Sequence, residues 1–481
     1  MESVNKNAQI LLLLEQALKP ITGLLSEIGE LFKNAGFEIS LVGGPVRDAL
    51  LGKAVKDLDF TTNARADEIQ KILKPWAENI WDVGIKFGTV GAKKNDFSLE
   101  ITTYRSEVYD PSSRKPEVNF GNSLLEDLTR RDFTINAIAL KLPEFEIVDP
   151  HNGVNDLINQ KLKAPIDPEI LFSEDPLRML RAARFISKLD LVVDKNIIEA
   201  VEKLKSRLSV VSRERISDEF SKLLLLESPR KGLEFLVQTK LAEEFLPELP
   251  ALQLEVDEHH RHKDVYHHTL IVLEQAIDLE KSHEPQLAPD LVLRIAALLH
   301  DIGKPKTRKF EAGGRVSFHH HEVVGARMAK KRLHELRFSK EIINDVSKLV
   351  ELHLRFHGFG SGLWTDSAVR RYVRDAGDQL LRLHKLTRAD STTRNQKKAD
   401  ELQKNYDKLE ERISELSKEE ELAKIRPDLN GQEIMEILNL PPGPLVGKAY
   451  EYLLEIRIEQ GPQTKEVAKA NLLTWWQNQE S

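Results

Sequence analysis

The chain has 481 residues, 41% hydrophobic and 31% charged, with a formal net charge of −7 and no cysteine. The missing cysteines exclude disulfides, thiolate metal sites and cysteine nucleophiles. The negative balance excludes a polycation that seeks nucleic acid over its whole surface, although "KLKSRL", "SRERIS" and "ARMAKKRLHELRF" supply local basic stretches.

Residues 1–35 carry apolar positions at helical spacing (Leu14, Leu18, Ile21, Leu25), which predicts N-terminal helices. The run "ILLLL" is too short to span a bilayer, and no cleavage-site pattern follows the N-terminus. A cytoplasmic protein without membrane contact is expected. "FEISLVGG" predicts a buried strand ending in a glycine turn, and "PVRDALLGK" a short helix with Pro45 in its first turn and Gly52 at its end. "KDLDFTT" is a second strand, "ADEIQKILKPWAE" a helix, and "FGTVGAKK" and "FSLEITTYR" two further strands. "SEVYDPSSRKPEVNFG" (106–121) has the Pro, Ser and Gly content of a loop, and "FTINAIA" reads as an apolar helix. Strand signals fade after residue 151, and "SEDPLRMLRAARFISKL" reads as one helix with a favourable acidic, Pro-containing start. The division expected is N-terminal helices (1–35), a mixed α/β head (36–160), a helical neck and body (161–255), a histidine-rich helical domain (256–395) and a helical tail (396–481).

The stretch from Gly43 to Asp59 carries the first chemistry. A strand ends in Gly43-Gly44 and a helix starts at once, so backbone amides at a helix N-terminus face any bound anion. Arg47, one turn in, reaches toward the same place. Asp57 and Asp59 alternate on the returning strand and therefore share a face. Two carboxylates with a phosphate cradle suit Mg²⁺ and metal-assisted phosphoryl or nucleotidyl transfer. Glu100 lies on a candidate neighbouring strand, either as a third acid or as an ordinary solvent-facing residue.

"GGPVRDALLGKAVKDLDFTT" resembles the signature of the class II nucleotidyltransferases, the tRNA CCA-adding enzymes and bacterial poly(A) polymerases. "LTRRDFTINAIA" (128–139), "DPHNGVNDL" (149–157), "EDPLRMLRAARF" (174–185) and "SRERISDEFSKLL" (212–224) resemble the later motifs, in order. The resemblance implies an α+β chain: a polymerase-β-like head with a mixed sheet, then an all-helical neck, body and tail. It implies addition of CCA to the 3′ end of tRNA from CTP and ATP, with Asp57 and Asp59 catalytic and holding Mg²⁺. Gly43, Gly44, Arg47 and Arg131 would hold the triphosphate. Asn136 and Asp149 would orient the ribose or a loop, and the 106–121 segment would help the switch from C to A addition. Asp175, Arg178, Arg181 and Arg184 recur at spacings of three on one helix face; the resemblance makes Asp175 and Arg178 the base-reading pair and the other two further nucleotide contacts.

A second constellation lies in "VYHHTL", "ALLHDIGKP", "SFHHHEVVGA", "ELHLR" and "LTRADS". His300 and Asp301 end an apolar helix, where buried polar groups need partners. His268, His300, Asp301 and Asp390 resemble the ligand set of the HD phosphohydrolases, which implies a divalent transition metal. His321 and His353 match additional histidines of that family, with His267, His319 and His320 as adjacent alternatives. Rival expectations are a poly(A) polymerase, a nucleotidyltransferase restricted to CC or A, an HD phosphohydrolase whose head only binds nucleotide, and a non-catalytic RNA-binding protein.

Overall fold

The computed structural model describes residues 2–55, 57–84, 88–108, 117–121, 123–254, 265–282, 288–311, 316–356, 364–391, 396–422 and 425–479. The chain divides into two compact units, Met1–Phe245 and Leu246–Ser481.

The first unit is built on one mixed sheet. Its strands are β1 (Ile39–Val42), β2 (Leu58–Thr62), β3 (Asn79–Gly84), β4 (Thr89–Lys94), β5 (Phe97–Thr103), β6 (Arg105–Val108), β7 (Glu117–Phe120), β8 (Ala139–Leu142) and β9 (Glu146–Val148). Seven of them form the sheet, in the order β3-β4-β5-β2-β1-β8-β9. β2 runs parallel to β5, and among the described residues the other pairings of this sheet are antiparallel. Leu58, Phe60, Leu99, Ile101, Val90 and Ala92 are buried on one face. The helices α1 (Glu2–Leu18), α2 (Thr22–Asn34), α3 (Gly44–Leu50) and α4 (Ala66–Leu73) supply the cover. α2 packs on β1 and β8, α4 on β4 and β5, and α1 on α3. The other face of β2, β4 and β5 is left to polar residues, among them Asp59, Lys93 and Glu100, all exposed.

Two local expectations are corrected. "FTINAIA" holds a single 3₁₀ turn, Thr134–Asn136, and its last residue, Ala139, opens β8, whose backbone finds its hydrogen bonds by pairing along all of β1. The segment 106–121 is framed by strand backbone, since β6 and β7 pair antiparallel; its residues 109–116 lie outside the described residues. Residues 79–84, unassigned from the sequence, form the edge strand β3.

α5 (Leu124–Thr129) and α6 (Gly153–Ile158) flank the sheet, and the neck follows as α7 (Pro168–Glu174), α8 (Leu177–Leu189), α9 (Lys195–Leu204), α10 (Arg213–Leu224) and α11 (Arg230–Gln238). The single helix expected here is broken: Asp175 is extended (φ −133°, ψ 98°) because the residue before a proline avoids the helical region. α8 packs on α10 and α11.

Among its described residues the second unit is helical apart from one two-residue strand pair at Lys309–Phe310 and Val316–Ser317. Its helices are α12 (Glu248–Ala251), α13 (Val265–Ser282), α14 (Leu291–Leu299), α15 (Lys304–Thr307), α16 (His321–Glu335), α17 (Lys340–Leu352), α18 (Asp366–Ala376), α19 (Leu380–Asp390), α20 (Gln396–Glu419), α21 (Gly431–Leu438), α22 (Pro444–Gln460) and α23 (Lys465–Gln477). α14 is buried along nearly its whole length, packed by α13, α17 and α19. A separate apolar cluster (Leu429, Ile434, Ala449, Leu453, Leu472) holds α21, α22 and α23 together. Among the described residues, no helix is long and apolar enough to cross a membrane.

Candidate active site and metal centre

The head's site begins at the turn between β1 and α3. Gly43 sits at φ 71° and ψ −124°, a conformation costly for any residue with a Cβ. Its amide donates to the carbonyl of Ile138 (3.3 Å). A methyl group here would lie 3.0 Å from Nη1 of Arg131, so the glycine both turns the chain and makes room for that guanidinium. Arg131 is fixed from the other side by Asp127, at 3.1 Å. Asp127 is fully buried; burial opposes its ionisation, but Arg131 and Arg130 outweigh this and hold its pKa below the usual value.

Asp59 lies directly beside Glu100, its register partner on β5. Paired residues on neighbouring strands project to the same face, so the sheet brings together the two carboxylates that the sequence left as separate candidates. The Asp59 pKa is raised; partial burial is the largest cause, Glu100 and Asp57 add to it, and Arg131 opposes them. The side chain keeps an accessible face, so burial is incomplete and the neighbouring carboxylates carry much of the argument. Hard, accessible oxygen donors that repel one another fit a divalent cation.

The remaining nucleotide-site candidates are drawn into a framework. Arg47 is buried and donates to Asn136 Oδ1 (2.6 Å) and to Asp48 (2.8 and 2.7 Å). Asn136 in turn donates to Asp132 (2.9 Å), which also takes Arg181 (2.8 Å). Burial opposes ionisation of Asp132, but Arg181 and the Asn136 amide prevail and hold its pKa down to about 2. Arg178 donates to the carbonyls of Arg130 (2.7 Å) and Leu171 (3.3 Å) and to Glu174 (3.2 Å). Arg184 pairs with buried Glu219. Asp175 stands outside the helix that carries the three arginines; it accepts from the amide of Leu177 (3.2 Å) and from Arg215 (3.0 Å). Asp149 accepts from the amides of Gly153 and Val154 (2.7 and 2.9 Å), anchoring the start of α6.

In the second unit, α13, α14, α17 and α19 converge. His268 on α13, His300 at the end of α14 and Asp390 at the end of α19 form one group whose ligand atoms lie within 4.8 Å of one another; Asp301, His321 and His353 form a second. His300, His321 and His353 each use Nδ1 on a backbone carbonyl three residues back (2.8, 2.8 and 2.6 Å). The Nε2 atoms of the first two turn inward toward carboxylate oxygens: His300 Nε2 lies 3.2 Å from Asp301 and 3.4 Å from Asp390, and His321 Nε2 3.3 Å from Asp301. Carbonyl-oriented imidazoles that aim their other nitrogen at a shared cluster of carboxylates are how proteins present metal ligands, so the donors fit a divalent transition metal. Burial favours neutral His300, but Asp301 and Asp390 outweigh it and lift its pKa to about 10. Burial and His300 push His353 down to about 3. His267, His319 and His320 are exposed, outside both groups.

Residues 39–163 match the model of the poly A polymerase head domain, residues 190–252 that of the probable RNA and SrmB-binding site of polymerase A, and residues 265–395 that of the HD domain. Matches to a poly A polymerase head and to an HD domain thus follow one another along the chain. The CCA-adding enzyme of Enterococcus faecalis is 42% identical over 235 residues, 46% of this chain and 57% of that one. That of Pediococcus pentosaceus is 42% identical over 212 residues, 44% of this chain and 52% of that one. The chain thus matches only about half the length of these curated relatives. The crystal structure of the Bacillus stearothermophilus CCA-adding enzyme in complex with CTP superposes with a TM-score of 0.66 at 23% identity, over 96% of this chain and 98% of that one. The Thermotoga maritima CCA-adding enzyme complexed with tRNA superposes with a TM-score of 0.60 at 17% identity, over 97% of this chain and 98% of that one. These likenesses establish the α+β class, with a polymerase-β-like head followed by helices.

Two functional residues lie outside the sequence expectations. Asp132 of the head follows paired arginines in "LTRRDF", and an acid in that place is a visible signal for a guanidinium anchor. Lys304 of the HD domain, in "HDIGKP", lies 2.9 Å from Asp301, one helical turn after it.

Proposed function

We propose that this chain adds CCA to the 3′ end of tRNA, taking CTP and ATP and releasing pyrophosphate, in the cytoplasm. The observation that carries it is the register pairing of Asp59 with Glu100, beside the turn where Arg131 lies over Gly43. On this reading the 3′-hydroxyl oxygen forms a bond to the α-phosphorus, the bond from that phosphorus to the pyrophosphate oxygen breaks, pyrophosphate departs with the electron pair, and the hydroxyl proton passes to water. Asp57 and Asp59 would hold Mg²⁺, which when bound would favour the ionised hydroxyl and offset charge on the phosphates. Glu100 serves as a third carboxylate. Arg131, steadied by Asp127, offers its fork to the triphosphate, which guanidinium geometry matches. Asp175 and Arg178 select the base from the break between α7 and α8. Because the donors of Arg178 already serve two carbonyls and Glu174, selection requires it to exchange one of these for the base. Arg47, Arg181 and Arg184 act through Asn136, Asp132 and Glu219, fixing the framework around the nucleotide.

The test is a tRNA transcript ending before CCA, incubated with labelled CTP, ATP or both. Two C residues from CTP alone and a complete CCA from the mixture are expected. Long A tails would replace the reading with poly(A) polymerase, and arrest at CC or addition of A alone with a restricted enzyme.

A second activity is favoured by the two groups of inward-facing imidazole and carboxylate donors. With a transition metal held by His268, His300, Asp301 and Asp390, the HD domain would hydrolyse phosphomonoesters or 2′,3′-cyclic phosphates. Hydrolysis of 2′,3′-cyclic AMP that needs added metal, and is absent in Asp301→Ala, is the expected result. No hydrolysis with any divalent metal would leave a metal-bound scaffold.

A further inference from the structure

The row of residues that joins Asp59 to Glu100 continues across the sheet. Glu100 pairs with Gly91 on β4, and Gly91 pairs with Trp81 on the edge strand β3. Residues paired in register share a face, so Trp81 lies on the carboxylate face. Its position is held from behind: Asp82, the next residue and hence on the opposite face, accepts from Gln70 Nε2 of α4 at 2.8 Å. The indole does not hang off the edge. A methyl group on Gly91 would stand 2.4 Å from Trp81 Nε1, so the ring lies across β4 in the space a side chain would fill, leaning toward Glu100. Two strand spacings, about 10 Å, separate that spot from β2. Trp81 is nonetheless 41% exposed.

A large exposed aromatic on an edge strand is a liability that sheets ordinarily avoid. Here it is attached to a polar face that also carries exposed Lys93, two residues beyond Gly91 and on the same side. A flat aromatic beside a cation is the arrangement that holds single-stranded nucleic acid, the base on the ring and the backbone on the charge.

We propose that Trp81 is the stacking platform for the 3′-terminal base of the RNA acceptor, with Gly91 left bare so that the ring reaches inward and presents the terminal hydroxyl to Asp59 and Glu100. This rests on the nucleotidyl-transfer reading. Trp81 is a positioning residue: it acts on the acceptor strand and leaves the nucleotide alone.

The test uses the full chain and a tRNA transcript ending before CCA. Trp81→Ala should raise the KM for the transcript about tenfold or more, the loss typical of one stacked base, while the KM for CTP moves less than about twofold. Trp81→Phe should restore most of the affinity; Trp81→Leu, which still covers Gly91 with apolar atoms, should not. Binding without chemistry separates this from the transfer reading: the transcript's Kd is compared between Asp59→Ala and Asp59→Ala/Trp81→Ala, with no nucleotide present. A weaker Kd in the double variant supports the platform even if the wild-type chain proves to add no nucleotide, in which case the transfer reading alone fails. Equal Kd values overturn the platform. So does rescue by leucine as complete as by phenylalanine, which would make Trp81 a cover for the sheet edge, or a rise in the KM for CTP in place of the transcript's, which would put the incoming base on the ring.

Discussion

The two acidic centres of this chain are built in opposite ways. In the head, Asp57 is exposed just before β2, Asp59 and Glu100 stand exposed on an open sheet face, and Arg131, tied to a buried aspartate, is the organised cation beside Asp59. In the second unit, Asp301 and Asp390 are enclosed by helices and bounded by imidazoles whose Nε2 atoms point at them, His268 Nε2 lying 2.9 Å from Asp390. Exposed carboxylates remain hydrated until a ligand arrives, so the head suits a cation that comes with the nucleotide. Buried donors pay desolvation continuously, so the HD centre suits a cation that stays.

The strongest way to break this contrast is Asp59→Ala. Nucleotide addition should fall about a thousandfold, the several kcal/mol that a transition-state metal contributes, while the transition-metal content of the protein, read by elemental analysis, is unchanged. Parallel loss of both would mean that the two centres are not separable. Next comes the resident cation. Saturating the HD site at about 100 times its Kd should stabilise the protein by roughly 2.7 kcal/mol, seen as a rise in Tm that a chelator reverses. Asp301→Ala should abolish the rise. A Tm insensitive to transition metals would show that the buried nitrogens are satisfied in some other way.

The contrast also explains which parts could be read from the sequence. Gly43 and the Asp57/Asp59 pair are legible because local spacing alone sets them, a turn and strand alternation, whereas the choice of Arg131 over Arg130 comes only from the resemblance. Glu100 was left open because its role depends on which strand β5 joins, and parallel pairing with β2 is a non-local fact. The histidines were legible as a set, but the choice of His268 and His321 over their neighbours was not, since one residue along a helix changes the face by 100° and only packing decides which face turns inward. "FTINAIA" reads as helix because a short apolar run fits more than one periodicity; the chain there makes one 3₁₀ turn and then enters β8, because β1 needs a partner. Asp175 was placed on the arginine face by its spacing, which does not register the break that Pro176 imposes on α8.

Between the two centres in character is Asp132, buried like the HD acids but facing an arginine and an amide instead of imidazoles. Its folded pKa, about 2, lies below the value of ~4 expected in the unfolded chain. Its stabilisation is therefore complete above about pH 4 and is lost as the pH falls toward 2. At neutral pH it amounts to about 2 kcal/mol. Asp132→Asn should destabilise the first unit by about that much, and the penalty relative to wild type should shrink in acid unfolding experiments as the wild-type carboxyl takes up its proton. A penalty independent of pH down to 3 would show that Asp132 contributes by shape alone.

The smallest expected change sharpens the head's side of the contrast. Gly43→Ala adds a Cβ at φ 71°, at a cost of about 1–3 kcal/mol of backbone strain, and sets that Cβ 3.0 Å from Arg131 Nη1. Arg131 can yield, because its tether to Asp127 runs through the other terminal nitrogen, Nη2. The fold should therefore survive with a lowered Tm. The displaced fork should then weaken nucleotide binding, raising the KM for CTP several-fold, while the KM for the tRNA transcript, governed from the far end of the same strand row, stays put. Equal increases for both substrates would mean that the turn and the sheet face respond as one body, and that Arg131 is not specific to the triphosphate.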